Sequence, residues 1–188
     1  TAAVHPGEYV GVETAVELAN ELKMEKITGT IVIVKVVCSE EFEQRAGSLC
    51  LDDRKNLNRQ FPGDEKGTRT QRLASAIKKE LHSVADYYID LHSGDDYEKL
   101  TPYVYYAGKA APEVMKISRQ MAEQVDVPYM VKSEVSSGGS YNYAASCGIP
   151  SVLLERGGMG AWETEEVRSM KRDVRSILRF LGIYDGHR

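Results

Sequence analysis

Continuous aliphatic runs alternate along this chain with stretches in which apolar side chains return every three or four positions, as when strands are interleaved with helices. Residues 2–5 read as the tail of a strand. After the turn at Pro6-Gly7, Val12, Ala15, Val16, Ala19 and Leu22 recur at helical spacing and predict a helix over 9–22. Residues 31–37 are β-branched and continuous, the pattern of a strand covered on both faces. Leu73, Ala76, Ile77 and Leu81 predict a second helix over 70–84, which leads into a strand at 87–91. The aromatic stretch 102–106 is β-prone, Pro112 opens an amphipathic helix over 112–125, and 129–131 is a short strand. A Ser/Gly loop at 136–140 precedes a helix over 141–147, which Gly148-Ile149-Pro150 terminates. Residues 151–154 then form a buried strand that delivers Glu155 to its end, and a last helix runs over 163–181. This alternation predicts an α/β domain with a largely parallel sheet.

The pattern breaks at residues 39–67, which are long, polar and irregular. Compact domains keep loops of that length mainly where they serve a site. No repeat or linker interrupts the chain, and 188 residues with 42% hydrophobic content are enough for one core. A stripe of Arg168, Lys171, Arg172, Arg175 and Arg179 on the last helix is balanced by Glu163, Glu165 and Glu166, and reads as a solvated face. With a formal charge of -4, the chain has no cationic excess to meet nucleic acid or an anionic membrane. Its longest strongly apolar run, 31–37, contains Lys35 and falls far short of the roughly 20 residues of a membrane-spanning helix. A small-molecule partner is expected, and a homo-oligomer is left open. Cys38, Cys50 and Cys147 are odd in number and lack paired spacing, which favours a reduced, cytoplasmic setting.

Three polar clusters each lie just past the carboxyl end of a predicted strand, where open α/β sheets place their ligand crevices. In His5-Pro6-Gly7-Glu8, a tight turn can aim an imidazole and a carboxylate at one point, an arrangement zinc accepts. In Asp90-Leu91-His92, His92 supplies a second imidazole and Asp90 is spaced to support it from outside the metal shell. In Glu155-Arg156-Gly157-Gly158, paired glycines let the backbone approach a ligand closely. Two histidines and a carboxylate leave a fourth zinc position open for water, whose pKa the metal lowers to about 7. A carboxylate outside the metal shell must then carry the proton, and Glu155 is the candidate. His82, beside Lys78 and Lys79 on a helix, and His187, near the terminus, read as surface residues.

A fourth cluster, Asn56-Leu57-Asn58-Arg59-Gln60-Phe61-Pro62-Gly63, offers a guanidinium fork and an adjacent amide, so Asn58-Arg59 can clamp a carboxylate. Asn56, Pro62 and Gly63 fit an ordinary turn equally well.

Taken in order, His-x-x-Glu, Asn-Leu-Asn-Arg-x-Phe-Pro-Gly, Asp-Leu-His-Ser-Gly and Glu-x-Gly-Gly resemble the pattern of the succinylglutamate desuccinylase and aspartoacylase family, relatives of carboxypeptidase A. The resemblance spans nearly the whole chain. It implies a three-layer sandwich around a mixed, mostly parallel sheet, with one zinc ion held by His5, Glu8 and His92. It further implies that Asn58 and Arg59 hold the substrate carboxylate and that Glu155 is the general acid/base. The family also polarises the scissile carbonyl with an arginine. Arg54 is nearest by position, with Lys55 and Arg45 as rivals. The chain departs from the family in reading Pro-Gly between its first two ligands, where Gly-Asn or Gly-Asp is commoner. By the same resemblance, residues 1–188 are one catalytic domain without the family's amino-terminal strands and without the carboxyl-terminal β-rich domain of many members.

The activity so implied is hydrolysis of the amide bond of an N-acyl amino acid. A metallocarboxypeptidase and an inactive binding module are the alternatives. No residue recognising the acyl group is legible; Tyr106, Tyr141 and Tyr143 are either pocket-lining or packing residues.

Overall fold

The computed structural model describes residues 1–185, so His187 lies outside the described residues. The regular elements are helices α1 (Tyr9–Glu21), α2 (Ser39–Glu43) and α3 (Arg69–Ile77), strands β1 (Tyr88–His92) and β2 (Tyr103–Ala107), helix α4 (Pro112–Ala122), strand β3 (Tyr129–Ser133), helix α5 (Ser140–Ser146), strand β4 (Ser151–Glu155) and helix α6 (Thr164–Phe180). Local chemistry explains their starts. Thr68 and Gln71 form a capping box that opens α3, and Pro112 occupies the first turn of α4, where its missing N–H costs nothing.

The strands form one sheet in the order β1-β4-β2-β3. β1 pairs with β4 and β2 with β3 in parallel, while β2 and β4 are antiparallel. Period-two alternation then sorts side chains by face. Leu91, Val104, Val152 and Leu154 face one side and pack against Val10 and Leu18 of α1, Met121 of α4 and Met170 and Ile177 of α6. On the other side Tyr88 and Leu153 meet Tyr141 and Ala144 of α5. A further cluster, with Val4, Leu57, Phe61, Ala74 and Ile77, forms beneath α3. Helices therefore cover both faces of a mixed, mostly parallel sheet, the three-layer arrangement expected. Gly11 lets α1 lie directly on the strand it covers, because a Cβ there would stand 2.7 Å from the Leu91 carbonyl oxygen.

Three expectations need correction. Residues 31–37 form no regular strand: Ala2 N donates to Val34 O and Val37 N to Ala2 O, both at 3.0 Å, so only one side is paired. Val32 is 63% exposed, because β-branching all round the run does not supply a second covering layer. Residues 2–5 likewise reduce to a single parallel bridge, Ala2 with Leu91, extended by Leu91 N donating to Thr1 O. His82 is buried. After α3 the helix widens into a π turn, Lys78–His82, leaving His82 only 6% exposed, among the rings of Phe61, Tyr88 and Tyr143.

Candidate active site

His5 and Glu8 flank the Pro6-Gly7 turn, which Glu8 N closes by donating to His5 O at 3.3 Å. Glu8 stands at the N-cap of α1 and makes no capping bond, so its carboxylate is free to turn inward. One of its oxygens, Oε1, lies 2.6 Å from His5 Nδ1, and the other lies 2.7 Å from His92 Nδ1. Ser93 N also donates to Glu8 Oε2, at 3.2 Å. The two imidazoles meet edge to face with centroids 5.1 Å apart, and the ligand atoms of His5, Glu8 and His92 all lie within 4.8 Å of one another. Glu155 ends β4 directly beside His92, its register partner.

Whether this cluster suits a cation is answered by its own atoms. His5 Nε2 lies 3.0 Å from Asn56 Oδ1, an amide oxygen that only accepts, so Nε2 carries a proton and Nδ1 is the nitrogen that faces Glu8. The 2.6 Å contact needs a positive charge between the two atoms, either a second ring proton or a bound cation. His92 is fully buried, and its contacts with Glu8 and with Asp90 lack hydrogen-bond alignment, so both ring nitrogens are without a hydrogen-bond partner. Buried polar atoms in that state are costly unless something else satisfies them. Two imidazole nitrogens and a carboxylate are also a zinc donor set. The residues fit a divalent metal.

The electrostatics follow. Burial opposes charge on Glu8, but the His92 and His5 rings outweigh it and hold its pKa at about 2. Burial likewise opposes charge on His92, yet the Glu8 and Asp90 carboxylates raise its pKa well above the usual value. Glu155 moves the other way. Burial raises its pKa well above the carboxylate range, His92 opposes this, and the Glu8, Glu98 and Asp90 carboxylates add to it; its Oε2 has no hydrogen-bond partner.

The anionic clamp is half assembled. Asn58 is buried, and its Oδ1 accepts from Ser140 N at 2.8 Å, which leaves its NH₂ group free to donate. Arg59 is exposed, tethered by Nη1 to the Asn58 carbonyl at 2.8 Å. Arg54 is exposed on a left-handed residue and, among the described residues, makes no side-chain hydrogen bond or ion pair. The paired glycines serve the chain's own backbone. A Cβ on Gly158 would stand 2.0 Å from Glu98 O, the oxygen that accepts from Met159 N. Arg156 is structural, joining Asp173 at 2.7 Å and the Asp126 carbonyl. Tyr106, Tyr141 and Tyr143 all pack in or against the hydrophobic clusters.

Two residues make site contacts that sequence reasoning did not assign. Asn56, which fitted an ordinary turn as well as a place in the fourth cluster, orients His5. Tyr103 is the register partner of Glu155, and burial together with the Glu155 carboxylate raises its phenol pKa.

Fold and site define an α/β protein with a His/Glu/His metal-type cluster at the strand ends. Comparison narrows this: the chain belongs to the family of the succinylglutamate desuccinylase/aspartoacylase catalytic domain, whose model matches residues 1–181. It is 26% identical to an N-alpha-acetyl-L-2,4-diaminobutyric acid deacetylase of Halomonas elongata, over 99% of this chain and 55% of the relative. A crystal structure of a succinylglutamate desuccinylase from Silicibacter superposes with a TM-score of 0.91 at 29% identity, covering 100% of this chain and 57% of that one. The product-bound ectoine utilization protein EutE (DoeB) of Ruegeria pomeroyi gives a TM-score of 0.90 at 29% identity, over the same shares of the two chains. The chain thus spans a little over half the length of these relatives.

Proposed function

We propose that this chain carries the catalytic centre of a zinc-dependent deacylase that hydrolyses the amide bond of an N-acyl amino acid. The observation that carries the reading is the convergence of His5, Glu8 and His92 beside a Glu155 carboxyl whose affinity for protons is raised. Family membership supports amide hydrolysis, and the diaminobutyrate relative supports a small acylated amino acid as substrate.

In this reading His5, Glu8 and His92 hold the ion through two imidazole nitrogens and one carboxylate. When bound, zinc supplies Lewis acidity, which makes water acidic and a nearby carbonyl electrophilic. Glu155 accepts the proton lost by the attacking water. As the carbon–oxygen bond forms and the carbon–nitrogen bond breaks, Glu155 passes that proton to the departing nitrogen, giving a free carboxylate and an amine. The raised proton affinity of Glu155 suits a group that must take up a proton from water before passing it on. The free amide N–H groups of Asn58 and the fork of Arg59 hold the substrate carboxylate. Arg54 contributes positive charge toward the carbonyl oxygen.

The test is metal content and turnover together. The purified chain is expected to bind about one equivalent of zinc at this centre and, when loaded, to hydrolyse N-acetyl or N-succinyl amino acids in preference to dipeptides. Zinc-loaded protein inert toward all of these amides would refute the reading. Preference for dipeptides would replace it with a carboxypeptidase.

A further inference from the structure

Four polar side chains lie in series behind Asp90, on the face of the sheet away from α1 and α6. Tyr88, Asp90 and His92 alternate along β1, so all three project to that face. Thr1 Oγ1 lies 2.6 Å from Asp90 Oδ1 and 2.7 Å from the Tyr88 hydroxyl. The Tyr88 hydroxyl is in turn 2.7 Å from Ser140 Oγ, which is 3.4 Å from His82 Nε2. At the other end Asp90 Oδ2 is 3.1 Å from His92 Nε2. Tyr88, Ser140, Asp90 and His82 are all buried, and Thr1 is half-buried.

Each hydroxyl has one proton, and that fixes the direction. The Asp90 carboxylate only accepts, so Thr1 spends its proton on Asp90 and must accept from Tyr88. Tyr88 then accepts from Ser140, and Ser140 accepts from the Nε2–H of His82. The remaining nitrogen of His82, Nδ1, is buried without a hydrogen-bond partner, as that direction requires. Burial also lowers the His82 pKa to about 4, which keeps the ring neutral.

We propose that His82, Ser140, Tyr88 and Thr1 form one directional hydrogen-bond chain that positions Asp90, and through it His92, for metal binding. The proposal rests on the zinc reading of His5, Glu8 and His92. With Oδ1 held by Thr1, Asp90 keeps Oδ2 opposite His92 Nε2, and the other imidazole nitrogen faces Glu8. Ser140 also joins this support to the substrate clamp, because its backbone N–H donates to Asn58 Oδ1 at 2.8 Å. All four are positioning residues. None of them touches the ligand cluster itself, and each acts through its neighbour in the series.

Links in series have a signature that independent packing residues lack: once the chain is cut, a second cut costs little more. Zinc affinity, read by chelator competition, is expected to fall about 3-fold to 10-fold in Tyr88→Phe, at or below the usual loss of about 10-fold to 100-fold for outer-shell partners of a metal ligand. Ser140→Ala should show a similar fall, and the double variant should lose no more than the larger single loss. Thr1→Ser, which keeps the hydroxyl, should retain wild-type affinity, whereas Thr1→Val should match Tyr88→Phe and serves if the buried variants do not fold. Nitrogen-15 spectra of the metal-free chain should show His82 as the neutral Nε2–H tautomer. Additive losses, unchanged affinity in folded Tyr88→Phe, or an Nδ1–H tautomer would overturn the proposal. Wild-type protein that binds no zinc, yet shows the Nε2–H tautomer, would instead locate the failure in the metal reading and end the chain's role there.

Discussion

The carboxyl ends of β1 and β4 and the groove beside the outer edge of β1 are concave for opposite reasons. The groove has a volume of about 670 Å³ and is walled mainly by aliphatic side chains such as Leu18, Leu22, Ile33, Leu178 and Ile183. It contains none of His5, Glu8, His92 or Glu155. The strand ends gather buried polar atoms, orphaned ring nitrogens and a carboxyl with raised proton affinity. Size alone would have drawn attention to the groove. The candidate site is where burial cost has been accepted without local satisfaction, whereas the groove borders residues 31–34, which form no regular strand.

The sharpest way to test that contrast is to change one atom at the strand ends. Glu155→Gln is expected to slow turnover about 100-fold to 10,000-fold with zinc still bound, since the amide is nearly isosteric but can neither accept the water's proton nor return one to the leaving nitrogen. Loss of zinc from that variant would place Glu155 among the ligands. His92→Ala should lose metal and activity together, because it removes a ligand. Metal analysis beside turnover distinguishes the two.

A second effect separates burial from catalysis. His82 is 6% exposed, and burial lowers its pKa from 6.5 to about 4. A depressed histidine pKa means that the unfolded chain takes the proton first as pH falls. The contribution is therefore complete above 6.5, declines between 6.5 and about 4, and levels off below. Its size is on the order of 3 kcal/mol. Urea denaturation of wild type and His82→Gln should show a steeper acid loss in the wild type across that window. Parallel curves would mean that His82 is solvated.

The groove should respond in stability alone. Leu18→Ala removes a side chain 2% exposed and is expected to cost about 2–3 kcal/mol, the low end for such truncations because the site already opens toward a cavity. Zinc affinity and turnover per folded molecule should be unchanged. A change in either would show that the groove is coupled to the strand ends, which it adjoins through Thr1 and Tyr88.

The same contrast explains what could be read in advance. Helices such as 9–22 and 163–181 and the strand delivering Glu155 were legible, because their apolar periodicity reports a face that packs. Residues 31–37 misled, because β-branching reports strand preference and not whether a neighbour exists on each side. His82 misled for a related reason: flanking lysines mark the outer face of a regular helix, and a π turn is invisible to a 3.6-residue period. The convergence of His5, Glu8 and His92 was legible through local spacing in His5-x-x-Glu8 and through strand-end placement of His92 and Glu155. Asn56, Tyr103 and the series from Asp90 to His82 were not, since each contact spans many residues of sequence.

The smallest expected effect concerns Arg59, which lies at the rim and shares features of both regions. It is exposed, and its Nη1 donates to the Asn58 carbonyl, so part of its guanidinium is already oriented while the rest remains available. Arg59→Lys keeps the charge but loses the planar fork, and a lysine ammonium cannot both hold that carbonyl and meet a carboxylate in two parallel bonds. Exposure makes the change nearly silent for folding, where surface substitutions usually stay within about 0.5 kcal/mol. On substrate, a lysine still makes one of the two bonds, so the loss sits at the low end of the range of about 1.5–3 kcal/mol for a charge-assisted hydrogen bond, and KM should rise about 10-fold for an N-acyl amino acid. The corresponding amide-capped substrate, which has no carboxylate, should be processed equally by both proteins. Equal KM for the free acid in the two proteins would remove Arg59 from the clamp and leave Asn58 as its only buried donor.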